Sequence, residues 1–150
     1  MKRLIGVIGA GITDDELCER AREVGRLLAE HDCTLVTGGL SGVMEAASQG
    51  AAEAGGTVVG IVPGPDPSAA NAYAQIVVAT GLGDARNAVI ANTASGFIAV
   101  GGSHGTLSEI AFALKREKPV VALGSWDVDP AVQQAADPAD AVARLLRALA

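Results

Sequence analysis

Gly101-Gly102-Ser103-His104-Gly105-Thr106-Leu107-Ser108-Glu109 is a glycine-rich turn with a carboxylate about one helical turn beyond it. The turn follows a short apolar run, Gly96 to Val100, and opens onto a helix-like pattern. Glycines at a strand-to-helix turn let main-chain N–H groups approach a ligand closely. The helix N-terminus adds partial positive charge, so such a turn suits phosphate or another anion. Gly38-Gly39-Leu40-Ser41-Gly42-Val43 repeats the arrangement. Two turns of this kind at one sheet edge are expected to form a single pocket for a nucleotide-like ligand. Arg86 is the sole basic residue between Arg26 and Lys115. It sits near the start of a helical stretch, where it is either a counter-charge for an anion or an ordinary solvated residue. Asn87 beside it suits a sugar or base edge, or a local cap.

Each of these features has a purely structural reading. Thr106-Leu107-Ser108-Glu109 has the form of a capping box, in which the carboxylate only ties down a helix end. By spacing alone that reading is the stronger one. Gly9 and Gly11 serve a tight turn as readily as a ligand. Asp14 stands where a dinucleotide fingerprint needs its last glycine, and no Gly-Lys-Ser/Thr occurs anywhere, so neither standard phosphate motif is present. Gly101-Gly102-Ser103-His104-Gly105 matches Gly-x-Ser-x-Gly, but no histidine follows His104, as the hydrolase triad order requires. The two histidines and two cysteines are scattered, which argues against a metal site. Lys2, Lys115 and Lys118, the only lysines, lie away from the glycine turns, which argues against a Schiff base.

The elements that must position these residues follow from periodicity. Leu4–Ile8, Thr34–Thr37, Thr57–Val62, Gln75–Ala79, Gly96–Val100 and Pro119–Leu123 read as strands. Thr13 and Glu16 have capping-box spacing ahead of a helix with the stripe Leu17, Ala21, Val24, Leu27 and Leu28. Ser41 is expected to cap the next helix, which carries Val43, Ala46, Ala47 and Ala51. Further helices are expected over Gly83–Thr93 and Thr106–Arg116. Asp137 caps a last one, with Pro138 at its first position. A short edge strand falls within the segment 127–137. Strands alternating with helices give βαβ units with right-handed crossovers, and strands that are apolar throughout fit a sheet covered on both faces. The expected fold is a single doubly wound, Rossmann-like α/β domain over residues 1–150, with a mostly parallel sheet of six or seven strands. Ligands on such sheets bind beyond the C-terminal strand ends, where Gly9-Ala10-Gly11, Gly38–Val43, Pro63-Gly64-Pro65 and Gly101–Thr106 gather.

Composition narrows the function. The 150 residues suit one domain, and 49 % hydrophobic content with only 3 % aromatics makes an Ala, Val, Leu and Ile core. A net charge of −6 argues against general nucleic-acid binding, which rests on Lys and Arg neutralising phosphates. Cys18 and Cys33 fit a reducing cytosol better than a disulfide framework. No run approaches the ~18 to 20 apolar residues of a membrane span.

Thr37–Met44, Gly60-Ile61-Val62-Pro63, Asp84-Ala85-Arg86-Asn87 and Gly101–Glu109 resemble, in order and spacing, the LOG-like (Lonely Guy) Rossmann superfamily. The resemblance spans about residues 4 to 123. Its nearest branch is the molybdenum cofactor carrier protein group with its bacterial relatives, and the LOG phosphoribohydrolases are more distant. The resemblance to the enzymes implies roles for Glu109 and Arg86 in releasing a base from a nucleoside 5′-monophosphate. The chain departs from those enzymes at Val100-Gly101-Gly102 (Pro-Gly-Gly there), at Asn87 (lysine) and at His104 (a bulky aromatic). The resemblance to the carrier group implies binding of a phosphorylated pterin cofactor without turnover.

Together these readings give a cytoplasmic binding protein for a phosphorylated small molecule, either a nucleotide monophosphate or a molybdopterin-type cofactor. No metal, required cofactor, nucleic acid or membrane is expected, and a homodimer or homotetramer is. Gly39, Ser41, Gly42, Gly102, Gly105 and Thr106 would cradle phosphate opposite Arg86. Gly9, Ala10, Gly38, Val43, Pro63, Asn87, Gly101, Ser103, His104 and Glu109 complete the candidate site. The alternative is an N-glycosidic phosphoribohydrolase with Glu109 and Arg86 as its catalytic pair. Trp126 edges either the pocket or an oligomer contact.

Overall fold

The computed structural model describes residues 1–150. Strand and helix alternate along nearly the whole chain. β1 (Leu4–Gly9), α1 (Asp15–Glu30), β2 (Thr34–Thr37), α2 (Val43–Glu53) and β3 (Val58–Val62) form the first half. After β4 (Ile76–Ala79) come α3 (Arg86–Thr93), β5 (Gly96–Val100), α4 (His104–Lys115), β6 (Val120–Leu123), β7 (Val132–Gln134) and α5 (Pro138–Ala148). The seven strands form one sheet in the order β4-β3-β2-β1-β5-β6-β7, and every neighbouring pair is parallel. β7 is the edge strand expected between residues 127 and 137.

Successive side chains of a strand point to opposite faces, and both faces are filled. Ile5, Val7 and Ile98 pack with Val24, Leu28, Val43 and Leu145 under α1, α2 and α5. Ile8, Phe97 and Ala99 pack with Ile90 and Ile110 under α3 and α4. The small residues set the spacing of α1 against α2. A Cβ on Gly25 would run into the Ala47 carbonyl, and one on Gly50 into that of Arg22.

β1 pairs with β2 on one side and β5 on the other. The winding reverses between β1 and β5, which opens a crevice at their C-terminal ends. The helices that begin there are capped differently from the sequence expectation. Asp14, not Thr13, caps α1, its Oδ1 accepting from Leu17 N at 2.8 Å. Glu16 pairs with Arg20 instead of closing a capping box. Gly42 is the N-cap of α2, while the Ser41 hydroxyl donates to Gly11 O at 3.0 Å. α4 starts at His104, two residues earlier than its spacing suggests, with Ser103 as N-cap. Thr106 and Glu109 thus lie inside the helix and both are buried. The capping-box reading of Glu109 is overturned, because the helix end that it would have tied down lies further upstream. Asp137 caps α5 as expected, accepting from Asp140 N at 2.8 Å.

Candidate functional site

The turns that follow β1 and β5 leave the sheet side by side, and a pocket of about 190 Å³ lies between them. Gly9, Ala10 and Gly11 form one wall, and Ser103 and Gly105 the other. Thr106 and Glu109 reach it from α4, Arg86 and Asn87 from α3, with Met44 and Asp84 at its margin. The amides of Gly102, Ser103, His104, Gly105 and Thr106 donate to no protein acceptor. Those of His104, Gly105 and Thr106 are the orphan donors of the first turn of α4, and they carry the positive end of its dipole.

The loop is held from behind. Ser103 O accepts from Leu107 N and from Trp126 Nε1, each at 3.0 Å. The indole also stacks on His104, with ring centroids 6.0 Å apart. Anchoring the carbonyl of Ser103 fixes the peptide planes around it, and hence where their N–H groups point. Asn87 Nδ2 donates to Ser108 Oγ at 3.1 Å, and that hydroxyl donates to Gly105 O at 2.7 Å, so α3 braces the same turn.

Two ionisable groups meet in the pocket without forming an ion pair. Glu109 is only 8 % exposed, its carboxyl takes no hydrogen bond from the protein, and burial pushes its pKa up to about 8 despite the partly offsetting Arg86 charge. At neutral pH the carboxyl is protonated, and so it offers an O–H donor. Burial draws the pKa of Arg86 down, while Glu109 and Asp84 counter it; the guanidinium stays a cation. Arg86 Nη1 donates to Gly38 O at 3.0 Å, and Nε is buried without an acceptor. Free amides, a cation with an unspent N–H and a neutral acid converge on one small volume. That set suits the oxygens of an anion.

The other glycine turn does not share this pocket. Gly38, Gly39, Ser41, Gly42 and Val43 lie beside it; the Gly39 and Val43 amides and the Gly38, Gly39 and Leu40 carbonyls bond within the protein, while the Gly38, Leu40, Ser41 and Gly42 amides donate to no protein acceptor. Gly39 N donates to Thr37 Oγ1 at 3.0 Å and Val43 N to Ala10 O at 3.0 Å. Gly39 O and Leu40 O accept from Asn71 at 2.8 and 2.9 Å. The pocket thus lies between the β5–α4 and β1–α1 turns, and the β2–α2 turn stands behind Arg86, whose Nη1 the Gly38 carbonyl holds. Gly101 is tied to β6 through Leu123 O, and Pro63 O is taken by Gly83 N. Neither residue lines the pocket, nor does Gly102, nor His104, whose ring lies on Trp126.

Sequence reasoning quoted Met44, Asp84 and Ser108 within its motifs without giving them a place in the site or its brace, and it missed Asn71 altogether. Asp84 had a signal in its place two residues before the lone Arg86. Asn71 had none, since its partners lie about thirty residues away in the chain.

The model of the SLOG cluster4 family matches residues 2–147. An uncharacterised protein of Archaeoglobus fulgidus is 49 % identical over 119 residues, covering 79 % of this chain and 78 % of its own. Among solved structures, the molybdenum cofactor binding protein of Rippkaea orientalis superposes with a TM-score of 0.95 at 34 % identity, over 100 % of this chain and 99 % of that one. The molybdenum cofactor carrier protein of Chlamydomonas reinhardtii gives 0.92 at 41 % identity, over 99 % of both chains.

Proposed function

This chain belongs to the SLOG cluster4 family, and from that footing we propose that it binds a phosphorylated, nucleotide-like cofactor of the molybdopterin type and carries it unaltered. One observation supports this above others: Ser103, Gly105 and Thr106, whose amides are unpaired, line a pocket that also holds Arg86 and its orphaned Nε–H. Such a cradle fits phosphate oxygens, the part that a nucleotide and a phosphorylated pterin share. Arg86 supplies charge, the α4 amides supply directed donors, and protonated Glu109 adds one more without repelling the anion. The two solved structures described above are of proteins that bind or carry molybdenum cofactor, and both align over nearly the whole of this chain.

Titration calorimetry with molybdenum cofactor released from a molybdoenzyme, and separately with AMP, tests the reading. Binding is expected for at least the cofactor, and Arg86→Ala weakens it roughly ten- to a hundredfold, the worth of a charge-assisted hydrogen bond. No heat with either ligand overturns it.

A second reading rests on Asp84, a second carboxylate at the same pocket. A protonated acid at Glu109 with a carboxylate at Asp84 is the pairing that cleavage of a glycosidic bond uses. Incubation with AMP at high protein concentration decides between the two. Free base that appears with the native chain and vanishes in Glu109→Gln establishes hydrolysis, and intact AMP removes it.

A further inference from the structure

A second pocket shares a wall with the first. Ala10, Gly11 and Ser103 also line this adjoining lobe of about 680 Å³, more than three times the size of the first. The chemistry changes across that threshold. The lobe contains no basic residue; Ile12, Thr13, Asp14 and Leu17 form one side and Gly102 the other. Asp14 spends Oδ1 on the cap of α1, and Oδ2 has no protein donor. The Thr13 hydroxyl is buried and has no partner. Ile12 is 97 % exposed, a large aliphatic side chain left in water at the rim, and Leu17 is half-buried beneath it.

We propose that this lobe seats the uncharged ring of the ligand, a nitrogen heterocycle presenting N–H donors along one edge. The inference rests on the reading that the smaller pocket takes the anionic end. An anion is a poor occupant, because Asp14 lines the lobe and Asp15 and Glu16 follow it in the first turn of α1. An aliphatic chain would leave the Thr13 hydroxyl and the free Asp14 oxygen unmatched. A flat heterocycle satisfies all of it. Its faces lie on Ile12 and Leu17, its donor edge meets the Asp14 carboxylate, and a ring oxygen or nitrogen pairs with Thr13. The division also fits the placing of Arg86, the one basic residue in either lining, in the smaller pocket alone, with Ser103 shared between the two.

The test compares two probes that differ only in the ring: ribose 5-phosphate, and guanosine 5′-monophosphate, whose guanine carries a ring N–H and an amino group side by side. Binding is followed by calorimetry and by the fluorescence of Trp126, the single tryptophan, whose indole bonds Ser103 at the threshold. The native chain is expected to bind guanosine monophosphate at least tenfold more tightly than ribose 5-phosphate. Asp14→Ser keeps a capping hydroxyl but removes the carboxylate, and Thr13→Val keeps the shape but removes the hydroxyl. Each should weaken guanosine monophosphate about five- to tenfold and leave ribose 5-phosphate unchanged. Equal affinities in the native chain overturn the proposal, as do variants that shift both probes together. Failure of the anion reading shows elsewhere: ribose 5-phosphate would not bind, or its binding would be indifferent to Arg86→Ala. If neither probe binds, both readings fall.

Discussion

Two glycine-rich turns, Gly38–Val43 and Gly101–Thr106, look alike in the chain and have become different devices in the fold. The first is a brace. Its carbonyls hold Arg86 and Asn71, and its Gly39 and Val43 amides are spent on Thr37 and Ala10. The second is a cradle, held from behind by Trp126 and Asn87 and Ser108, with five amides in a row left without protein partners. Both turns keep unpaired amides, so what sets them apart is which of their carbonyls the neighbours hold and which of their residues line the pocket beside Arg86. The composition of the turn alone does not decide this.

The sharpest way to break the contrast is substitution of one glycine in each turn. Gly42 sits at φ +70°, and a Cβ there would overlap the carbonyl of Ala10 and come within 2.6 Å of that of Gly11. Gly42→Ala is expected to cost about 1–3 kcal/mol in backbone strain and about as much again in overlap. Thermal or urea unfolding should show a loss near roughly 4 kcal/mol. An unfolding curve within experimental error of the native one would mean that this turn is no brace.

The cradle carries its own cost in the burial of Glu109. Its carboxyl titrates at about 8 in the fold against an ordinary 4.5. Between those values the unfolded chain binds fewer protons than the native one, so stability falls as pH rises through that window and levels off above it. The loss at pH 7 is roughly 3 kcal/mol. Glu109→Gln should remove this slope, which urea titrations at about pH 5, 7 and 8 would reveal. A native chain with no decline over that range would show that Glu109 is ionised.

Smaller effects separate holding the cradle from lining it. Trp126→Phe deletes the bond to Ser103 O and retains a ring against His104. About 1 kcal/mol of stability is expected to go, with ligand affinity falling more than stability does. Gly105→Ala should hardly change stability, since a Cβ there meets nothing within 4 Å. The same methyl would stand at the pocket wall, so ligand binding should weaken while the melting curve stays put. A matching loss in both measurements would erase the distinction between the two turns.

Much of this was legible from residue pattern. The strands Leu4–Gly9 and Gly96–Val100 and the cap at Asp137 follow from local chemistry: β-branched runs, glycine stops, and Asp before Pro. Locating α4 was harder, because Thr106 and Glu109 mimic a helix start. The helix begins at His104, and the carboxylate goes into the interior. Thr13 and Ser41 also had the right type for caps, but Asp14 and Gly42 took those places. Competing caps differ by only about 1 kcal/mol, less than the packing that decides between them.

What the chain determined unaided was the alternating α/β order, the aliphatic core, and a small set of glycines, an arginine and a glutamate able to meet an anion. Local propensity and hydrophobic period act over a few residues and are written in the sequence. Which amides stay free was decided only when β1 came to lie beside β5. Their availability depends on acceptors brought from far along the chain, as Ala10 O takes the Val43 amide and Leu123 O that of Gly101. The same assembly carried Glu109 out of water and made a common acid a proton holder at neutral pH, because desolvation belongs to a place in the fold and not to a residue type.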